Sequence, residues 1–149
     1  MDASVIAANT VSIVSGATLY HFGVLTSSVH MAWMRTVCGR LKSDYRYSAA
    51  IVYNNFPWPS FAKAAEGRPE ATSSEIEKTS QGILDARALY PDSSLADLYD
   101  PLTMPPELRK AHAANDAAVL KAYGWPTDLS EPEIVSRLFD MYAKLPEGA

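Results

Sequence analysis

A chain of 149 residues with 48% hydrophobic and 20% charged side chains has a globular composition. It is not disordered over most of its length, and its apolar runs break well before the roughly 20 residues needed to cross a bilayer. The net charge of −4 is uneven: residues 1–60 sum to +2 and residues 61–149 to −6. The four cations of the first part, Arg35, Arg40, Lys42 and Arg46, fall between positions 35 and 46, so the acidic total leaves room for a local patch facing a polyanion.

The start Met1-Asp2-Ala3-Ser4 is acidic where a signal peptide is basic. Residues 4–15 are rich in Val, Ile, Ala and Thr, and Val11 and Ile13 alternate with Ser12 as in a half-buried strand. Ser15-Gly16 signals a turn, and the β-branched and aromatic run 18–25 predicts a second strand closing a hairpin. Thr26-Ser27-Ser28 offers an N-cap for a buried helix over 29–41, with Val29, Trp33, Val37 and Leu41 on one face, Met34 and Cys38 widening it, and His30 and Arg35 lateral. Residues 43–59 read as a strand in which Tyr45, Tyr47, Ile51 and Tyr53 share parity, with a bend near Ser48-Ala49-Ala50; Asn54-Asn55, Pro57 and Pro59 end it. Residues 61–74, small and charged around Gly67 and Pro69, read as a linker.

After the linker the pattern is helical. One helix reaches Leu89 with Ile76, Ile83, Leu84 and Ala88 as its buried stripe, acidic residues at its start and Arg87 near its end; Pro91 stops it. A short helix covers 94–99. Pro105-Pro106 opens another that runs to about Tyr123 and closes at Gly124, and Glu131-Pro132 opens the last, with Ile134, Val135, Leu138, Phe139, Tyr142 and Leu145. The expected fold is α+β: a small sheet with a buried helix in residues 1–60, then a mostly helical part, residues 75–149.

Catalytic signatures are lacking. His21, His30 and His112 lie far apart without metal-ligand spacing, so no metal site is assigned. Cys38, the single cysteine, sits on an apolar helix face, can form no internal disulfide and reads as a small hydrophobe; a reducing, cytoplasmic setting is expected. There is no phosphate-binding glycine loop and no G-x-S-x-G. The stretches Asn54-Asn55-Phe56-Pro57-Trp58-Pro59 and Asp100-Pro101-Leu102 do not reproduce the order of the Asn/Asp-Pro-Pro-aromatic loop of amino-methylating enzymes. No catalytic residue is therefore assigned.

The segment 40–48 stands apart. In Arg40-Leu41-Lys42-Ser43-Asp44-Tyr45-Arg46-Tyr47-Ser48, long cations alternate with aromatic and hydroxyl side chains. Arg and Lys can donate to guanine O6 and N7, Asp can accept from the cytosine amine, and Ser can reach phosphates. If the segment is extended, Lys42, Asp44 and Arg46 project to one side. The competing reading is a solvated strand edge with a Lys42–Asp44 ion pair worth under about 1 kcal/mol.

The run from Tyr20-His21-Phe22-Gly23-Val24-Leu25-Thr26-Ser27-Ser28 through Met31-Ala32-Trp33-Met34-Arg35, Gly39-Arg40-Leu41 and Tyr45-Arg46-Tyr47-Ser48 to Asn54-Asn55-Phe56-Pro57-Trp58-Pro59 resembles the target-recognition region of MmeI-like enzymes. These are single-chain restriction–modification proteins and related adenine-N6 DNA methyltransferases. Residues 95–108, from Leu95-Ala96-Asp97-Leu98 to Pro105-Pro106-Glu107-Leu108, resemble the helical C-terminal part of the same family, so the likeness spans nearly the whole chain.

The resemblance implies sequence-specific recognition of double-stranded DNA for a methyltransferase or methyltransferase–nuclease. No catalysis falls to this chain, and S-adenosylmethionine would be bound by a methyltransferase domain preceding residue 1. In the family, the residues flanking the Ser of Gly-Arg-Leu-x-Ser-x-Tyr-Arg-Tyr-Ser vary together with the base pair read, which carries the role onto Lys42 and Asp44. Arg46, Asn9 and Thr10 match further base-contacting positions, and Arg40, Ser43 and Ser48 are expected at the DNA backbone. The alternative is a docking module of a large enzyme without direct base readout. The partners expected are double-stranded DNA and the upstream methyltransferase domain, with no membrane.

Overall fold

In the computed structural model, residues 13–41, 44–59 and 70–145 are described. The expected strand over 4–15 falls largely outside them. Its end is visible as the Ser15-Gly16 turn, where Gly16 takes φ +67°, a left-handed backbone that glycine tolerates.

The run expected as a second strand is instead helix α1, Leu19–Leu25. The backbone N–H of Thr18, at its N-cap, donates to His21 Nδ1 at 3.2 Å, satisfying a donor that a helix start would otherwise leave unpaired. Tertiary burial then overrides β-propensity: Gly23 and Val24 are inside. The Ser27 hydroxyl caps helix α2, Ser28–Val37, by accepting from the His30 N–H, as the hydroxyl run foretold. The helix is shorter than expected. Cys38 turns to extended backbone, and Leu41 lies on strand β1, Gly39–Leu41, rather than on the helical face.

Strand β1 pairs antiparallel with β2, Asp44–Arg46, in the register Gly39↔Arg46, Arg40↔Tyr45, Leu41↔Asp44. The long strand expected over 43–59 is limited to these three residues. Ala49–Tyr53 is one turn of π-helix, so the shared parity of Tyr45, Tyr47, Ile51 and Tyr53 does not hold. Side chains explain the coil. Trp33 Nε1 on α2 donates to the Val52 carbonyl at 3.0 Å, and Asn55 Nδ2 donates to the Ala50 carbonyl at 2.9 Å. Carbonyls held this way are withdrawn from any sheet ladder. Phe56 and Pro57 follow into the core, where the buried Tyr123 hydroxyl donates to the Pro57 carbonyl at 2.8 Å.

Helix α3, Glu70–Ala88, starts within the stretch read as linker. Its buried stripe is Ile76, Ser80, Ile83 and Ala86; Ala88 is exposed, contrary to expectation. The short α4, Leu95–Leu98, is capped by Ser94 as expected. Helix α5, Pro106–Ala122, opens on Pro106 and is followed by Gly124 at φ +73°; helix α6, Glu131–Tyr142, completes the fold. The class is α+β, with one short two-stranded ribbon beside mainly helical structure.

One apolar core joins the early and late elements. Val24, Val29, Trp33, Val52 and Phe56 pack with Ile76, Val119, Tyr123, Ile134 and Leu138. On α6, Phe139 and Tyr142 are partly exposed, but their rings lie 5.3 and 5.8 Å from that of Trp33. A smaller cluster, Ile83, Ala86, Leu98 and Leu108, seats α4 against α3 and α5.

Candidate nucleic-acid interface

The β1–β2 ribbon carries the charged segment singled out in the sequence. Asp44, Tyr45 and Arg46 are all exposed. Successive strand residues face opposite sides, so Asp44 and Arg46 share one side. Lys42, expected in line with them, belongs to the connection 42–43 between the paired Leu41 and Asp44; with Ser43 it lies outside the described residues. Asn9 and Thr10 also lie outside them. Arg40 is placed by its backbone on β1. Ser48 is half-buried at the foot of the ribbon, where its carbonyl accepts from the Val52 N–H at 2.8 Å and starts the π-helix.

Arg35 is already paired, donating to Glu131 Oε2 at 2.8 Å between α2 and α6. Both side chains are substantially exposed, so this pair contributes little to stability.

Behind the ribbon lies a feature the sequence did not reveal. His30, expected on the lateral face of α2, is only 2% exposed. Its ring stands edge-on to Phe56, with centroids 4.6 Å apart. Its Nε2 shares a hydrogen bond of 3.1 Å with the hydroxyl of Tyr47, the residue directly after β2. Nδ1 has no partner among the described residues. Burial disfavours the imidazolium and lowers the His30 pKa from 6.5 to about 4, while Tyr47 is raised by burial and then by the charge of Tyr53. No helical spacing or local motif marks the contact, because its partners are 17 residues apart on different elements. The pair borders a cavity of about 530 Å³ lined by Leu25, His30, Met31, Met34, Tyr47 and Tyr53, among others.

A second polar cluster lies among the later helices. Arg87 donates from Nε and Nη2 to the Tyr99 hydroxyl at 3.0 and 2.6 Å, and that hydroxyl is 2.6 Å from His112 Nε2. With two guanidinium protons directed at its oxygen, the Tyr99 hydroxyl gives its own proton to His112. Burial and Arg87 depress the His112 pKa, opposed by Asp116. Asp116 accepts from the Ser28 N–H at the start of α2 at 2.7 Å, and burial raises its own pKa. The cluster ties α3, the end of α4, α5 and α2 together. His21 is half-buried beside Tyr20 and Trp58, and Cys38 is half-buried against the main core. Among the described residues no group of three or more His, Cys, Asp or Glu side chains could hold a metal ion, and no helix is long and apolar enough to cross a membrane.

Residues 1–60 match the family model described as "MmeI, target recognition domain", and residues 68–148 match "MmeI, C-terminal domain". The chain is 38% identical over 145 residues to DNA methyltransferase A of Bacillus subtilis (strain 168), covering 97% of this chain and 16% of that protein. It superposes with a TM-score of 0.77 on a solved structure of the type IIL restriction–modification enzyme MmeI in complex with DNA. That alignment has 46% identity over 87% of this chain and 16% of the other. The chain thus spans about a sixth of the length of each relative.

Proposed function

Since the chain belongs to the MmeI family, pairing that family's target recognition and C-terminal domains, we propose that it reads a specific sequence in double-stranded DNA on behalf of an adenine-specific DNA methyltransferase or methyltransferase–nuclease. The observation that carries this reading is the β1–β2 ribbon. A two-stranded ribbon fits the major groove, and this one projects Asp44 and Arg46 to one side in a segment that holds most of the early cations. Lys42 donates to a guanine, Asp44 accepts from the cytosine amine of the same pair, and Arg46 reads a neighbouring base. Asn9 and Thr10 contact bases, and Arg40, Ser43 and Ser48 face the DNA backbone. The chain performs no methyl transfer itself. S-adenosylmethionine and the target adenine belong to a methyltransferase domain earlier in the same polypeptide, and the adenine is flipped into that domain.

The test is the base preference of the full-length protein. Lys42→Glu alone places two carboxylates near DNA and is expected to weaken binding to every sequence. Lys42→Glu with Asp44→Arg inverts the charge order at equal net charge, leaving the phosphate contribution nearly unchanged. It is expected to restore binding and reverse the preferred pair at one position, a contrast of about 1–3 kcal/mol. A double variant that keeps the original preference would show that the two charges are only a surface ion pair. Binding that is independent of salt and sequence would favour the docking role.

A further inference from the structure

We infer that His30 is a positioning residue for DNA reading: by its hydrogen bond to Tyr47 it holds the end of strand β2, and with it Arg46 and Asp44, in a fixed attitude on helix α2. The inference rests on the assignment of the ribbon to base reading and deepens it. A ribbon of two three-residue strands is marginal by itself and needs an anchor to present side chains reproducibly. Side chains that recognise a base edge must be held to within about 0.5 Å, so the support behind them matters as much as the contact itself.

His30 is well placed to give that support. It is buried on a helix whose Trp33 is locked between Phe56, Phe139 and Tyr142, and its own ring is fixed edge-on against Phe56. Tyr47 is bonded covalently to Arg46, and the next residue, Ser48, is extended at φ −121° and ψ 123° before the π-helix begins. With Tyr47 turned to α2, strand alternation directs Arg46 and Asp44 away from the helix. The hydroxyl of Tyr47 therefore sits between a rigid core residue and the reading side of the ribbon. Tyr47 remains 42% exposed, so the bond orients the strand end without being required for the core.

The test compares full-length wild-type protein with Tyr47→Phe, His30→Phe and the double variant. The wild type is first used to select its preferred site from a pool of random duplexes. Each protein is then bound to that site and to duplexes changed one base pair at a time. Tyr47→Phe removes one half-exposed hydroxyl and is expected to leave the thermal midpoint and the affinity for non-specific DNA unchanged. Its discrimination at the base pairs assigned to Asp44 and Arg46 should fall about two- to tenfold, the range of one hydrogen bond. His30→Phe should do the same, and the double variant should be no worse than either single. Full discrimination by Tyr47→Phe overturns the inference, as do losses that multiply in the double variant, or an equal loss of affinity for every duplex. A wild type with no sequence preference overturns the DNA-reading function itself, a failure separate from that of the His30–Tyr47 clamp.

Discussion

Burial of His30 makes folding sensitive to acid in a defined window. The unfolded chain binds a proton on this imidazole below about pH 6.5, whereas the folded protein resists protonation until about pH 4. This group's contribution is therefore fully retained above pH 6.5 and is lost as the pH falls toward 4. Tyr47 and Tyr53, the titratable groups facing it, stay neutral throughout that range. Asp116 works in the opposite sense, because its raised pKa lets the folded state take up a proton first. The comparison with His30→Phe isolates the histidine. Between about pH 7 and pH 4.5 the wild type should lose on the order of 2–3 kcal/mol more stability than the variant. Denaturant unfolding at the two pH values measures the difference, and parallel losses would show that His30 is not held neutral in the fold.

At the level of elements, the crossing of α1 over α3 and α5 depends on a glycine. A Cβ at Gly23 would collide with Ser80 Oγ, Ile76 Cγ2 and Asn115 Oδ1. The buried Asn115 bridges the three helices: its Nδ2 donates to the Gly23 carbonyl at 2.8 Å, and its Oδ1 meets the Thr79 hydroxyl at 3.1 Å. The Ser80 hydroxyl gives its proton instead to the Ile76 carbonyl at 2.6 Å. Helix propensity alone would make alanine better than glycine here by about 1 kcal/mol. Crowding reverses the sign, so Gly23→Ala should destabilise by about 1–3 kcal/mol. Gly82 on α3 has open space where its Cβ would be, and Gly82→Ala should stabilise by about 0.5–1 kcal/mol. Chemical denaturation of the two variants checks the pair; a stabilised Gly23→Ala would mean that α1 does not approach α3 this closely.

For the whole molecule, the shared core makes the helical part a structural necessity for the reading part. Ile76, Val119, Tyr123, Ile134 and Leu138 cover Val24, Val29 and Trp33, and Tyr123 also holds the Pro57 carbonyl. Residues 1–60 alone would expose these side chains to water, at about 1.5–3 kcal/mol for each large one. A fragment of residues 1–60 is therefore expected to show no cooperative thermal transition and no selective DNA binding, which calorimetry and a binding assay would establish. A soluble, cooperatively folded fragment with unchanged specificity would show instead that the two parts are independent. The acidic bias of residues 61–149 agrees with a supporting role away from phosphates.

The sequence by itself determined what is written in local chemistry. Caps and breakers placed α4, α5 and α6 almost to the residue: Ser94, the Pro105-Pro106 step, Gly124 and Glu131-Pro132 act through the backbone of their own neighbours. The charge cluster in 40–48 and the family likeness were legible for the same reason. What only the tertiary structure decided depends on partners distant in the chain. Residues 18–25 have strand-forming side chains but become helical because Gly23 and Val24 meet α3 and α5. Residues 49–53 coil because Trp33, 19 positions earlier than Val52, takes the Val52 carbonyl. His30 turns inward because Phe56 and Tyr47 are there to receive it. Alternation and propensity describe a residue's preference in isolation, at most about 1 kcal/mol, whereas burying one large side chain contributes two or three times as much, so packing prevails wherever the two conflict.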